Sequence, residues 1–247
     1  MFLIWRGKNI RVIYYCRGKL VIKDQGLHKL EQSHILVVGL GGVGAFVAEF
    51  LVRAGVGHLT IVDGDVVDIT NKNRQLIALD STIGEPKVKL VANRLKDINP
   101  QIKLKMIKDF LTPESAYDLV SKEFAYVADC IDSISPKISL LRACHDKRVK
   151  VISSMGSGGI LDPSKVKVAD ISQTRDCPLA RTIRKRLKKE GIQPKFKAVF
   201  SLELPSKDMM VLTDGSNFKR SYYGTMSYMP ALFGIHIAGV IIRKLIE

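Results

Sequence analysis

The feature that most constrains this chain is a glycine cluster set between two apolar runs, within His34 to Gln75. Ile35 to Val38 is unbroken and apolar, and it leads into Gly39, Gly41, Gly42 and Gly44. From Val43 to Ala54 the residues Phe46, Val47, Phe50, Leu51 and Ala54 recur at the spacing of one helical face, and a second apolar run, Leu59 to Val62, ends at Asp63. Strand, tight loop, helix, strand and acid, in that order, describe a nucleotide-binding βαβ unit. Glycines let the backbone approach a phosphate, the helix N-terminus offers unpaired N–H groups and the positive end of its dipole, and Asp63 is placed to accept from ribose hydroxyls. The fold this predicts is α/β, a Rossmann-like doubly wound sheet, mostly parallel.

The glycines alone would equally suit a dinucleotide oxidoreductase or a nucleotide-sensing module. The loop beyond Asp63 argues for ATP instead, because it carries Asp65, Asn71, Lys72, Asn73, Arg74 and Gln75, with Lys87 following Gly84 and Pro86. A triphosphate cut between its α and β phosphates builds charge on the leaving pyrophosphate, and Arg, Lys and Mg²⁺ meet that charge. Farther on, Tyr126 to Ala128 reads as a strand that delivers Asp129 and Asp132 at its C-terminal end, where open α/β sheets hold ligands. Asp132 is the candidate Mg²⁺ ligand, since Mg²⁺ usually takes one or two carboxylates beside phosphate oxygens. The other reading makes it the N-cap of a helix over Ser135 to Arg148. Met155 to Gly159 is a second glycine loop over the same edge, closing on substrate or serving only a turn.

The rest of the chain reads in the same alternating way. Leu20 to Gln32 is helical, with Arg17 just upstream, and the Gly84 to Lys87 segment opens a helix to about Ile98. Lys103 to Ile107 is a strand, Thr112 caps a helix through Val120 with Pro113 at its first position, and Val149 to Ser154 is another strand. Beyond Asp170 the character changes: a helix opening near Thr174 to Pro178 carries Arg181, Arg184, Lys185, Arg186, Lys188 and Lys189 and ends at Gly191. That density favours a polyanion surface, each phosphate contact adding counterion release, over a merely solvated face. Phe196 to Leu204 reads as a strand, Met209 to Asp214 as hairpin-like, and Ser216 to Ser227 as a polar loop. Tyr222, Tyr223 and Tyr228 suit base stacking or ordinary packing. The expected division is an extension over 1–16, a nucleotide-binding domain over 17–170, and a basic C-terminal helix/strand appendage over 171–247 packed on that domain.

Composition narrows the partners. A net charge of +15 and a pI near 9.7 on 247 residues favour an anionic partner, nucleic acid above all, while 46% hydrophobic content is that of a globular core. Four cysteines without a C-x-x-C pair and five isolated histidines fit neither a zinc site nor a disulfide framework, which points to the cytoplasm. In the N-terminal run, Arg6, Lys8 and Arg11 leave no room for a signal-peptide core, so a short strand or arm is expected there. The apolar run Met229 to Ile242 contains Pro230 and falls short of a bilayer span, so a buried or interface helix is expected and membrane association is not.

With these residues placed, the chain resembles the ThiF/MoeB/ubiquitin-activating superfamily, whose members adenylate a carboxylate with ATP. Within it the likeness is to the tRNA threonylcarbamoyladenosine dehydratase (TcdA, or CsdL) family, from about Arg17 to the C-terminus. Asp132-Ser133, the segment from Met155 to Ile192 and the VFSLELP run before the final apolar helix carry it. The resemblance implies phosphates at Gly39, Gly41, Gly42 and Gly44, ribose at Asp63, triphosphate at Asn71, Arg74 and Lys87 and Mg²⁺ at Asp132, with Asp65 and Gln75 in the same loop. It implies a homodimer in which an arginine near the N-terminus, Arg17 being the nearest candidate, acts on the partner's site, and it leaves a sulfur-relay protein as a candidate partner. The implied reaction is dehydration of threonylcarbamoyladenosine in tRNA, the alternative being activation of a ubiquitin-like sulfur carrier.

Overall fold

The structure, a computed structural model, describes residues 14–212 and 221–247. Residues 1–13 of the expected N-terminal arm and residues 216–220 of the polar loop lie outside the described residues, as does the side chain of Tyr222. A seven-stranded sheet runs in the order β3-β2-β1-β4-β5-β7-β6. Its strands are β1 (His34–Val38), β2 (His58–Val62), β3 (Lys103–Ile107), β4 (Tyr126–Asp129), β5 (Val151–Ser154), β6 (Val166–Asp170) and β7 (Lys197–Ser201). All pairs are parallel except β6 with β7. The chain winds outward from β1 in both directions, so the switch point lies between β1 and β4, where the carboxyl ends diverge and leave a crevice.

Helices cover both faces. Helices α1 (Cys16–Gln32), α2 (Gly44–Ala54), α3 (Lys87–Ile98) and the last helix contribute to one apolar cluster, with Leu51, Leu95 and Phe233 among its fully enclosed side chains. The opposite cluster takes residues from α4 (Pro113–Leu119), α5 (Ile134–Asp146) and α6 (Pro178–Lys189), including Leu140, Ile183 and Leu187. The four-residue interior strands β4 and β5 are buried along their whole length, as strands covered on both faces must be. The last helix, α7 (Tyr228–Ile246), is long and apolar enough to cross a membrane by length and composition alone, but it buries Met229, Phe233, Ile237 and Ile241 and packs on α1 and α2. A short antiparallel pair, β8 (Met210–Leu212) and β9 (Ser221–Tyr223), stands apart from the main sheet.

Several local readings are corrected. Helix α1 begins at Cys16 rather than Leu20, with Lys23 in a left-handed conformation (φ 61°) that kinks it, so Arg17 lies in its first turn. Its entry is fixed by Tyr15, which is buried and donates to the Val52 carbonyl oxygen (3.2 Å). Val166–Asp170 forms an antiparallel edge strand that sequence patterning did not mark, because its alternation of Val with Lys is short and its partner β7 lies some thirty residues on. Residues 221–223, read as loop, are paired as β9.

Glycine matters most where two backbones meet. A Cβ on Gly44 would lie 1.7 Å from the Gly39 carbonyl oxygen, and one on Gly39 (φ +85°) would lie 2.8 Å from that of Cys130. Gly44→Ala is expected to cost about 3 kcal/mol of folding stability, since backbone must move to admit the methyl. Urea unfolding checks this, with Gly84→Ala, which has open space but a positive φ, as the milder comparison.

Candidate active site

The glycine loop and Asp63 form the base of the crevice. β1 ends at Val38, and Gly39 donates back to the Val62 carbonyl oxygen (2.9 Å) while Cys130 donates to that of Val38 (2.9 Å), tying the loop to both neighbouring strands. Asp63, just past β2, accepts from the Leu40 amide (2.6 Å) through one oxygen and from the Asp65 amide (2.8 Å) through the other. Burial pushes its carboxyl above the usual aspartate range, opposed by the Lys87 charge and by those two amides. Behind the loop, Pro230 of α7 packs where a Cβ on Gly42 would come within 3.0 Å.

The segment from Asp63 to Lys87 folds back on itself. Val67 donates to the Glu85 carbonyl oxygen, and Lys87 meets Asp65 twice, through its backbone N–H to the carbonyl oxygen and through Nζ to Oδ2, each at 3.0 Å. Lys87 is buried. Asn71 is buried at the end of a single 3-10 turn, where its Oδ1 accepts from the Asp68 amide (3.2 Å). Arg74 is half-buried and donates through Nη1 to the Thr70 carbonyl oxygen (3.0 Å) and Asn73 Oδ1 (2.9 Å). Gln75 is only 9% exposed, a Cβ on Gly41 would lie 3.6 Å from its Nε2, and its Oε1 is buried with no hydrogen-bond partner among the described residues. An orphaned polar atom of that kind, beside the start of an eleven-residue helix, fits a polar ligand seated on the loop.

At the C-terminal end of β4 the side chains divide into two kinds. Asp132 is exposed on the turn, and the cap of α5 is Ser133, so the N-cap reading of Asp132 is set aside. Asp129 is fully buried and pairs with Lys137 of α5 at 2.6 Å. Sequence patterning missed Lys137; its only signal is a lysine inside the apolar run Ile134, Ile138, Leu140, Leu141. Among the described residues no three His, Cys, Asp or Glu side chains cluster as a metal site. One exposed carboxylate beside a phosphate cradle suits a Mg²⁺ that arrives with a nucleotide and takes its remaining ligands from phosphate oxygens and water. Burial pushes the Cys130 and Cys144 thiols far up, away from nucleophilic thiolate.

Two groups of candidate residues lie elsewhere. Tyr15 packs at the C-terminal end of α2, and α2 is about 16 Å long, so Arg17 sits toward the far end from the glycine loop of its own chain. The basic helix α6 covers the opposite face of the sheet from α2. Its Arg181, Lys185, Arg186, Lys188 and Lys189 are exposed, but Arg184 turns inward and donates to the Ile171 carbonyl oxygen (3.2 Å) and to Thr174 Oγ1. Asn73 donates to the Thr225 carbonyl oxygen (2.9 Å) and Gly159 to that of Gly224 (2.7 Å), joining the nucleotide loop, the second glycine loop and the segment that enters α7.

A model of the ThiF family matches residues 15–247. A tRNA threonylcarbamoyladenosine dehydratase of Bacillus subtilis is 38% identical over 240 residues, covering 94% of each chain. The crystal structure of E. coli tRNA N6-threonylcarbamoyladenosine dehydratase, TcdA, in complex with ATP superposes with a TM-score of 0.87 at 31% identity, covering 96% of each chain. A molybdopterin-synthase adenylyltransferase of Salmonella typhimurium is 36% identical over 129 residues, 52% of this chain and 51% of its own.

Because the Asp63 carboxyl titrates above the ordinary aspartate range and only its ionised form lets both oxygens accept a further bond beside those from the two amides, ATP affinity is expected to fall as pH drops through that raised value. Calorimetric titration from neutral to mildly acid pH checks this. Asp63→Asn is expected to bind ATP at least about tenfold more weakly at neutral pH, a loss near 1.4 kcal/mol, and to lack the acid limb.

Proposed function

This chain belongs to the ThiF family, and from that membership we propose that it catalyses the ATP-dependent dehydration of threonylcarbamoyladenosine in tRNA. The carrying observation is that likeness to the dehydratases covers 94% to 96% of the chain, whereas the sulfur-carrier activator matches 52% of it. In this reading the two activities share the nucleotide chemistry and differ in the acceptor.

In this reading ATP lies along the switch-point crevice, with its phosphates over Gly39 to Gly44 and its ribose hydroxyls donating to Asp63. Lys87, Arg74 and Asn71 meet the triphosphate. Lys87 is held in reserve by Asp65, so a phosphate takes up an ammonium already desolvated and aimed. Gln75 supplies the buried carbonyl oxygen for a donor on the nucleotide or its water. Mg²⁺ bound with the nucleotide at Asp132 would neutralise charge on the phosphate oxygens.

The threonylcarbamoyl carboxylate attacks the α-phosphorus, and the bond from that phosphorus to the bridging oxygen of pyrophosphate breaks. The modification's own carbamoyl group then attacks the activated acyl carbon. AMP departs with one carboxylate oxygen, a proton is lost, and a ring closes with net loss of water. Both steps need positioning and charge stabilisation rather than an enzyme nucleophile. That agrees with thiols at Cys130 and Cys144 held protonated by burial.

The tRNA is held by the exposed cations of α6, Arg181, Lys185, Arg186, Lys188 and Lys189, while Arg184 braces the helix against Ile171 and Thr174. A homodimer brings the partner's Arg17 to a site that the chain's own Arg17 does not face. A cytoplasmic enzyme with four free cysteines accords with tRNA as substrate.

Mass spectrometry of nucleosides after incubation with ATP, Mg²⁺ and threonylcarbamoylated tRNA tests the reading; undiminished threonylcarbamoyladenosine would refute it. A pyrophosphate-exchange assay in which a carrier protein ending in Gly-Gly, and not tRNA, supports turnover would transfer it to the sulfur-carrier activators. Asp132→Ala is expected to abolish AMP formation without lowering the melting temperature. Charge reversal at Arg181, Lys185 and Lys188 should weaken tRNA binding and reduce its salt slope by roughly one for each phosphate no longer neutralised, leaving ATP binding unchanged.

A further inference from the structure

Lys137 is fully buried, and its ammonium spends all three protons on the fold: Asp129 Oδ2 at 2.6 Å, Ser153 Oγ at 3.1 Å and the Ser154 carbonyl oxygen at 3.0 Å. Asp129 is equally enclosed, and it also accepts from Ser153 Oγ (2.5 Å) and, through Oδ1, from the Ile131 amide (3.1 Å). The network therefore joins the end of β4, the β4–α5 turn, the first turns of α5 and the end of β5. Ile131 precedes Asp132, and Cys130 meets the glycine loop, its carbonyl oxygen standing 2.8 Å from where a Gly39 Cβ would be. Fold stability alone does not call for such a group, because replacing a buried ion pair by well-packed apolar side chains of similar volume is often neutral or stabilising. An ion pair with directional bonds to four segments does what apolar packing cannot: it fixes the turn in one place.

We propose that Lys137 is a positioning residue for adenylation, holding through Asp129 and the Ile131 amide the turn that presents Asp132 to the phosphates over the glycine loop. The proposal rests on the functional reading in which Asp132 acts at the triphosphate.

The test compares wild type, Lys137→Met, the Asp129→Asn/Lys137→Met double variant and Ser153→Ala in the full chain. It reads pyrophosphate-exchange kinetics with tRNA or carrier, melting temperature, and ATP affinity by calorimetry with Mg²⁺ and with EDTA. Lys137→Met should lower kcat about 100-fold, the effect of a misplaced group, and lose the gain in ATP affinity that Mg²⁺ gives wild type, with affinity in EDTA unchanged. The double variant, free of a buried unpaired charge, should recover the melting temperature but not the rate. Recovery of both, or a rise in KM with unchanged kcat, would overturn the proposal. Should neither variant fold, Ser153→Ala decides: it keeps the ion pair and loosens the turn, so wild-type kcat and an unchanged Mg²⁺ effect count against the role. Rates are taken relative to wild type on whichever acceptor supports exchange, so failure with tRNA alone indicts the functional reading and not Lys137. Absence of wild-type exchange with either acceptor would refute adenylation, and the Mg²⁺ effect on ATP affinity would still judge Lys137.

Discussion

The structure depends on how closely three backbone segments approach one another at the switch point between β1 and β4. Gly39, Gly44 and Cys130 meet there with no room for a Cβ on either glycine, and the Cys130 amide closes the gap by bonding to the last residue of β1. This approach places a helix N-terminus, a phosphate-sized loop and the β4–α5 turn at one point. Any larger side chain would separate them, and the crevice would no longer have the shape of a phosphate cradle.

Charge is buried around that point more than the fold requires. Asp63 is held by two amides, Lys87 by Asp65, and Asp129 by Lys137, and in each pairing the partner fixes the position of the group. Breaking the innermost pair by removing one partner would cost roughly 3–5 kcal/mol, because a lone charge would remain in the core. Dipoles and ions are oriented in advance at this edge of the sheet, the arrangement that would leave little reorganisation for a reaction there.

The exposed cations of the basic helix and the segment entering the last helix lie on other elements. The basic helix α6 lies across the sheet from α2, and the segment entering α7 is stitched to the nucleotide loop by the Asn73 bond to Thr225 and to the second glycine loop by the Gly159 bond to Gly224. Helix α7 thus serves twice, its apolar face closing the core through Phe233 and Ile237 and its first turn backing the glycine loop through Pro230. Helix α6, with its exposed cations, and the helices that flank the crevice grow from one sheet.

By itself the sequence determined the βαβ unit, the parallel sheet, most helix limits and the nucleotide edge, because periodicity, glycine spacing and caps such as Thr112 are local signals read within a few residues. The sequence placed the glycine loop, Asp63 and Asp132 at the ends of their strands for that reason, and the structure finds them there. Tertiary structure alone decided which charges point inward. Lys137 and Arg184 look like ordinary surface cations in sequence, yet one is sealed against Asp129 and the other braces Ile171 and Thr174, through partners on other elements. Strand β6 and the Pro230 contact behind Gly42 were hidden for the same reason. Their partners lie about thirty and nearly two hundred residues away, and pairing at that separation leaves no pattern in the local sequence.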